Sequence, residues 1–313
     1  MFESKLANYF DEFQKIVSTT DNNWSVKGFI DVHKTIYTIS IDTKVISKII
    51  ELMIFPIIVR FADKEGYDIK LSVHQNHYPD ITFIDKITGE KIALDIKSTY
   101  RISDTHVNGM TLGAFTGYFR QRESTKNITY PYSDYSKHLI LGVIYTKSDL
   151  FNAELVLKKH NIKINKTISK KLSNYINSTS IDDYNELVES ISTEDIKSLK
   201  ADIDNCITDE KRSHSIDNLD QIQSVIRDFQ FFVQEKWKIA TDRPGSGNTA
   251  NIGSTNKINE LINGKGVFTK YPNGKDLFDD YWMYYLTKSM AKLIDLDKPS
   301  YTNLETYNNY KSK

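Results

Sequence analysis

The sequence predicts an α/β fold: a mixed sheet carrying one β-hairpin, helices packed against it, and a helical insertion in the second half of the chain. Three observations predict it. Residues 80–84 and 91–97 alternate in polarity on either side of a turn-like run, Asp85-Lys86-Ile87-Thr88-Gly89-Glu90, which is the pattern of a hairpin. Residues 139–145 form a continuous apolar run rich in β-branched side chains, as expected of a strand buried beside that hairpin. Apolar stripes at helical spacing lie before and after, at Val45, Ile46, Ile49, Ile50 and Met53 and at Leu277, Phe278, Tyr281, Trp282, Tyr285 and Leu286.

Taken in order, Leu6, Tyr9, Phe10, Phe13 and Ile16 predict one amphipathic N-terminal helix. Residues 24–40 alternate like strands around a turn at 31–34. Asp42 is placed to cap the helix that carries the 45–53 stripe; Glu51 falls off the stripe, one turn from Lys48. Pro56 is expected to kink or restart that helix and Gly66 to end it. Residues 111–120 (TLGAFTGYFR) and 126–132 (KNITYPY) read as a loop and a helix start. Between 147 and 227 the apolar residues Tyr184, Leu187, Val188 and Ile191, then Ile196, Leu199 and Ile203 after Thr193 as cap, make a small helical unit with no catalytic constellation. Alternation returns at Phe229, Phe231 and Val233 and runs to Ala240, so that a strand delivers the chain into a glycine-rich loop at 245–254. Residues 258–262 form a short helix closed at Asn263-Gly264, another begins near Asp276, and the polar chain beyond Asp297 is expected to be loosely ordered.

Composition narrows the class. With 313 residues, 39% hydrophobic and 26% charged, the chain can bury a full core and is neither disordered nor membrane-like. Lys+Arg 41 against Asp+Glu 41 cancel, so any nucleic-acid surface must be built by local sorting of charge. Cys206 is the only cysteine, which excludes an intrachain disulfide and CxxC sites, and the seven histidines show no HExxH spacing. The most apolar run, 46–59, is interrupted by Glu51 and Pro56, and no signal-peptide layout precedes it; a soluble, cytoplasmic protein is expected.

The chemistry concentrates on the hairpin. Strand side chains alternate faces, so Ile81 and Phe83 share an apolar face with Ile92, Leu94 and Ile96, leaving Asp80, Asp95 and Lys97 on the other. A turn centred between Ile87 and Thr88 sets Asp80 opposite Asp95. Two opposed carboxylates repel unless a cation joins them, and Mg²⁺, which favours a few carboxylates plus phosphate oxygens, is the natural candidate. On spacing alone, Asp80 after Pro79 reads equally as a turn residue, and Asp95 with Lys97 as a solvated strand face.

Pro79-Asp80 followed by Asp95-Ile96-Lys97 resembles the PD-(D/E)xK nuclease motif, and three separated segments resemble the EcoRV-like type II restriction endonucleases: QNHYPD at 75–80, DIKSTY at 95–100 and GSGNTANIGS at 245–254. The resemblance covers roughly residues 24–147 and 229–285 and is expected to lapse between. It implies a restriction-endonuclease-like core and Mg²⁺-dependent hydrolysis of double-stranded DNA by a homodimer at a short palindrome, GATATC, cut bluntly. It also implies a partner DNA methyltransferase of the same specificity and no membrane role. By that resemblance Asp80, Asp95 and Glu51 are metal ligands, Lys97 acts on the attacking water, and residues 24–40 help form the subunit interface. The loop residues Gly245, Ser246, Gly247, Asn248, Thr249 and Asn251 are implied to read the DNA. Asn248 has the donor and acceptor that pair with adenine N6 and N7. Gln75, Asn76, Thr43, Lys44, Ser98, Thr99, Thr116 and Lys126 are implied to contact DNA as well.

On this reading residues 1–147 are the dimerisation and catalytic part, 148–228 the insertion, and 229–313 the recognition loop with C-terminal helices, all within one nuclease domain. Departures from the family pattern at His74, Pro244, Ala250, Ala114, Phe115 and Gly117 bear on flanking preference and backbone contacts more than on catalysis. A repair or junction-resolving PD-(D/E)xK nuclease does not need the match at 245–254, and a non-catalytic DNA-binding module has no use for Asp80, Asp95 and Lys97 on one face.

Overall fold

The computed structural model describes residues 1–39, 41–74, 76–191, 196–207, 213–217, 222–245 and 250–312. The N-terminal stripe is split between two helices, α1 (Phe2–Ala7) and α2 (Phe10–Val17). The break is a tightened turn, with Asn8 N–H donating to Lys5 O and Tyr9 N–H to Leu6 O. Phe2, Leu6, Tyr9, Phe13 and Val17 are buried across it, while Ile16 is turned outward. A hairpin of β1 (Gly28–Ile30) and β2 (Thr35–Thr38) follows, its turn held by Asp31, whose Oδ1 accepts from Thr35 N–H at 2.9 Å.

Helix α3 (Thr43–Glu65) starts where expected: Asp42 Oδ1 accepts from the N–H groups of Lys44 (2.8 Å) and Val45 (3.1 Å). It runs unbroken through Pro56, where a kink or restart was expected, and ends at Gly66 with φ 80°. Its buried face is Ile46, Ile50, Ile54, Ile57, Ile58 and Phe61, so the expected stripe is rotated and Val45 lies outside. A helix this well packed does not restart there, because tertiary contacts outweigh the one backbone hydrogen bond that proline removes.

Strands β3 (Tyr67–Leu71), β4 (Ile81–Asp85) and β5 (Lys91–Ser103) form an antiparallel meander; β6 (His106–Val107) pairs with the far end of β5, and β7 (Thr111–Ala114) leads out of the sheet. The apolar run predicted at 139–145 is the centre of β8 (Tyr135–Lys147), which lies parallel to β5. Four helices come next, α4 (Ser148–Lys159), α5 (Lys166–Ser178), α6 (Ile181–Val188) and α7 (Ile196–Asp204), packed around their own apolar cluster. The first two were not singled out in the sequence, and Thr193, expected as a cap, lies outside the described residues. Strand β9 (Ser213–Ser215) pairs with β2, and β10 (Ile226–Glu235) closes the central sheet against β8. The strand expected to continue to Ala240 is interrupted by one helical turn, α8 (Lys236–Ile239), before β11 (Ala240–Pro244) and β12 (Asn251–Ser254). The chain ends in α9 (Ile258–Asn263), α10 (Gly274–Tyr284), α11 (Lys288–Lys292) and α12 (Leu304–Lys311). The tail expected to be loose is anchored: Tyr301, Leu304 and Tyr307 are buried, and Asn303 makes a capping box with Thr306.

The central sheet is mixed, in the order β10-β8-β5-β4-β3, and is buried on both faces. Ile81, Phe83, Ile92, Leu94, Leu141 and Val143 face the core under α1–α3. Ala93, Ile140, Ile144 and Phe232 face a second core with Phe278, Tyr281 and Trp282 of α10. Gly142 sits opposite Phe232 on β10, where a Cβ would come within 2.0 Å of the ring, so only glycine lets β8 and β10 close. Among the described residues, no helix is long and apolar enough to cross a membrane.

Candidate active site

The hairpin register is the one that the turn length predicts: Ile81 pairs with Leu94, Thr82 with Ala93, Phe83 with Ile92 and Ile84 with Lys91. One step further sets Asp80 against Asp95. The turn is fixed by Asp85, whose Oδ1 accepts from Ile87 N–H (2.9 Å) and Thr88 N–H (2.8 Å). Asp80 bonds across the strands, its Oδ2 accepting from Ile96 N–H at 2.7 Å. The face carrying the carboxylates is not the open polar face expected from alternation. Thr82 and Ala93 are fully buried on it, and Asp95 is only 4% exposed.

Burial makes the pair electrostatically tense. Desolvation, and after it the charge of Asp95, pushes the Asp80 carboxyl up to about 7, against the opposing pull of Lys97 and of the Ile96 N–H. Lys97 Nζ stands 2.5 Å from Asp95 Oδ2. Desolvation works against the Lys97 ammonium, but Asp95 and Asp80 outweigh it and hold the group above its ordinary value. Asp95 Oδ2 is buried, and beyond this ion pair it has no hydrogen bond among the described residues. Two hard oxygen donors, one of them hindered from ionising by burial and by its neighbour and the other incompletely satisfied, suit a divalent cation.

Two cavities meet at this point. One, of about 550 Å³, is lined by Asp80, Asp95 and Lys97 together with Asn76, Thr116, Lys126 and Asn251. The other, of about 500 Å³, is lined by Glu51, Asp80 and Lys97 together with His74 and His77. Glu51 is engaged by Lys48 at 2.7 Å and reaches the carboxylate pair only across that second cavity. Among the described residues no three His, Cys, Asp or Glu side chains converge as a ready-made cage, so Glu51 does not complete a three-carboxylate cluster.

The other expected contacts divide. Asn76, Thr116, Lys126 and Asn251 line the first cavity. Thr99 does not: it is buried, and its hydroxyl donates to Asn108 O. Ser98 shares a 2.6 Å hydrogen bond with Ser47 and lines neither cavity, because β5 turns it toward α3. Thr43 and Lys44 are exposed at the start of α3, away from both cavities. Gln75, Ser246, Gly247, Asn248 and Thr249 lie outside the described residues. The base of their loop is tied to the site: Gly245 N–H donates to Asn251 O at 2.9 Å, and Asn251 pairs with Ala114 beside the cavity. Tyr118, Gln121 and Asn127 also line the cavity and were not singled out individually, although the first lies within the 111–120 segment and the last within 126–132.

A family model described as restriction endonuclease EcoRV matches residues 20–208 and 201–312. The type II restriction enzyme EcoRV of Escherichia coli is 31% identical to the chain over 303 residues, which is 96% of this chain and 93% of that protein. The two matched ranges meet at residues 201–208, within the segment between 147 and 227 where the short motifs lapse.

Proposed function

The chain belongs to the EcoRV family of restriction endonucleases, DNA-cleaving hydrolases, and from that premise we propose that it is a Mg²⁺-dependent homodimer cutting double-stranded DNA bluntly at GATATC. The observation that carries the reading is the convergence of Asp80, Asp95 and Lys97 at the floor of a cavity whose wall includes Asn251, at the foot of the glycine-rich loop.

Asp80 and Asp95 hold the cation in this reading, with Glu51 reaching it or its waters from the second cavity. A divalent cation held there would supply charge neutralisation at the scissile phosphate and would acidify a bound water. Lys97, kept charged by both carboxylates, donates to the attacking water and the phosphate oxygens, which favours charge stabilisation over proton abstraction. Asn76, Thr116 and Lys126 hold the DNA backbone along the cavity, and Asn248 reads adenine. A palindromic target matches a two-fold dimer in which each subunit cuts one strand. Phe29, Ile30 and Tyr37, all more than half exposed or nearly so on the β1–β2 hairpin, support a role for that hairpin in pairing the subunits. We assign residues 1–147 to dimerisation and catalysis, 148–228 to a helical support, and 229–313 to recognition. A methyltransferase of matching specificity protects the host DNA in the cytoplasm.

Digesting a plasmid of known sequence with the purified protein and sequencing the fragment ends tests the reading. Discrete blunt fragments ending in the centre of GATATC support it. Ends at another sequence overturn the specificity, and degradation without discrete ends overturns the restriction assignment.

A further inference from the structure

Lys236 is the first residue of α8, the helical turn that interrupts the strand expected through residues 229–240. Its side chain is 1% exposed, and its Nζ has no hydrogen-bond partner among the described residues. A buried, unpaired ammonium is costly, so something must answer it. Three rings do so in part: Nζ lies 5.3 Å from the Tyr78 ring centroid, 5.6 Å from Phe119 and 5.8 Å from Tyr132. The amine also reaches the active-site floor. A Cβ on Gly113, which lines the larger cavity, would lie 3.5 Å from Nζ and 3.1 Å from the Tyr118 hydroxyl.

The neighbouring acidic groups are already paired, and among the described residues only Asp95 keeps acceptor capacity to spare. Asp279 is paired with Arg122 at 3.1 Å, and Glu235 is held by Lys238 at 2.8 Å and by the Trp237 indole N–H at 3.1 Å. His138 is stacked on Tyr132 at 3.8 Å and hydrogen-bonded to the Tyr78 hydroxyl at 2.9 Å; burial, reinforced by Lys236, keeps its ring neutral. Asp95 is paired with Lys97 at 2.5 Å, but its buried Oδ2 makes no hydrogen bond beyond that ion pair among the described residues. Burial pushes the Lys236 ammonium down to about 8, and Asp95 is the strongest influence holding it up.

We infer that Lys236 is a positioning residue of the active site, a fixed positive charge beneath the cavity floor that balances Asp95 until a divalent cation and a phosphodiester arrive together. The inference rests on the metal-site reading given above. Lys97 and Lys236 bring two positive charges to Asp95 and to Asp80, whose carboxyl is pushed up to about 7 and is ionised only in part. A cation entering alone therefore leaves the buried site with excess positive charge, which the diester phosphate relieves. Lys236 thereby makes metal binding depend on DNA. In Glu235-Lys236-Trp237-Lys238, the salt-bridged Lys238 and the buried Lys236 are alike in sequence and differ only in where α8 points them.

The test is Mn²⁺ binding to the full-length protein, measured by calorimetry with and without a duplex carrying a non-hydrolysable linkage at the scissile position. Lys236→Met keeps the volume without the charge, and replacing a buried charge by an apolar side chain is generally tolerated. The variant is expected to bind Mn²⁺ without DNA on the order of tenfold more tightly than the unaltered protein, and the enhancement given by the duplex should shrink by the same factor. Lys236→Arg, where it folds, should restore weak DNA-free binding. A folded Lys236→Met with unchanged or weaker DNA-free affinity overturns the inference. Asp95→Asn in parallel separates the two readings: Mn²⁺ binding that does not depend on Asp95 overturns the metal site itself, and the inference with it. Should Lys236→Met not fold, the unaltered protein carries the test: the Lys236 side-chain ¹⁵N resonance must move when Mg²⁺ is added to the DNA complex, and a stationary resonance overturns the inference.

Discussion

Asp80→Asn is expected to stabilise the metal-free protein while abolishing cleavage. The folded-state carboxyl is pushed up to about 7, by burial first and by Asp95 second, from an unfolded value near 3.8. A carboxyl whose folded pKa exceeds its unfolded one is bound to its proton more tightly in the native state. Stability in chelator therefore falls as pH rises from about 4 to about 7, and the loss is complete above that. A gap of about three units at ~1.4 kcal/mol each sets an upper limit of about 4 kcal/mol. Asp95 and Lys97 share the titration and Asp80 keeps some solvent contact, so a gain of about 1–3 kcal/mol is the expected size. Asparagine keeps the shape and an oxygen for the Ile96 N–H, so the change isolates the charge. Urea unfolding with EDTA at pH 8 and pH 5 measures it: the variant should gain at pH 8, and the gain should shrink toward pH 5. Mg²⁺ should stabilise the unaltered protein at pH 8 and the variant much less. A variant less stable than the parent at pH 8, or a gain that is the same at both pH values, would refute the argument that the two carboxylates are held together against their repulsion.

Asp80→Ala and Asp95→Ala should each abolish plasmid cleavage while circular dichroism and gel filtration show an intact fold and unaltered assembly; cleavage at the parental rate by either would remove the metal assignment. Gly142→Ala forces a methyl group into the Phe232 ring, so a loss of at least about 2 kcal/mol in urea unfolding is expected, and a neutral substitution would show that β8 and β10 can part without cost. Asn248→Ala should lower specific over non-specific binding on the order of 10²-fold to 10⁴-fold, with the loss concentrated at the adenine position, because the proposed bidentate contact would be made twice in the proposed dimer. Titration against duplexes altered at each base pair measures it, and undiminished discrimination would mean that the loop does not read that base.

The hairpin was legible because its determinants are local. Turn length set the register that puts Asp80 beside Asp95, strand alternation put Lys97 with them, and Asp42 and Gly66 marked the ends of α3 by their own capping chemistry. The family motifs were legible for a similar reason: a metal site and a reading loop each need several particular residues within a short stretch. What stayed hidden depends on partners far along the chain. Alternation shows that Asp95 and Ile96 face opposite ways but not which face is covered; the side that carries Ala93 joins a core whose other members come from as far along the chain as Phe278 and Trp282. Packing in the first core carries α3 through Pro56, and packing in the second pins the C-terminal tail through Tyr301 and Tyr307. Lys236 is the sharpest case, since its place behind Gly113 in the lining of the cavity that holds Asp95 exists only where β7 and α8 meet. Sequence by itself determined the composition of the site and its local geometry. Only the tertiary structure decided how dry the site is and which charges oppose one another, because desolvation and through-space charge depend on every element that closes over a residue.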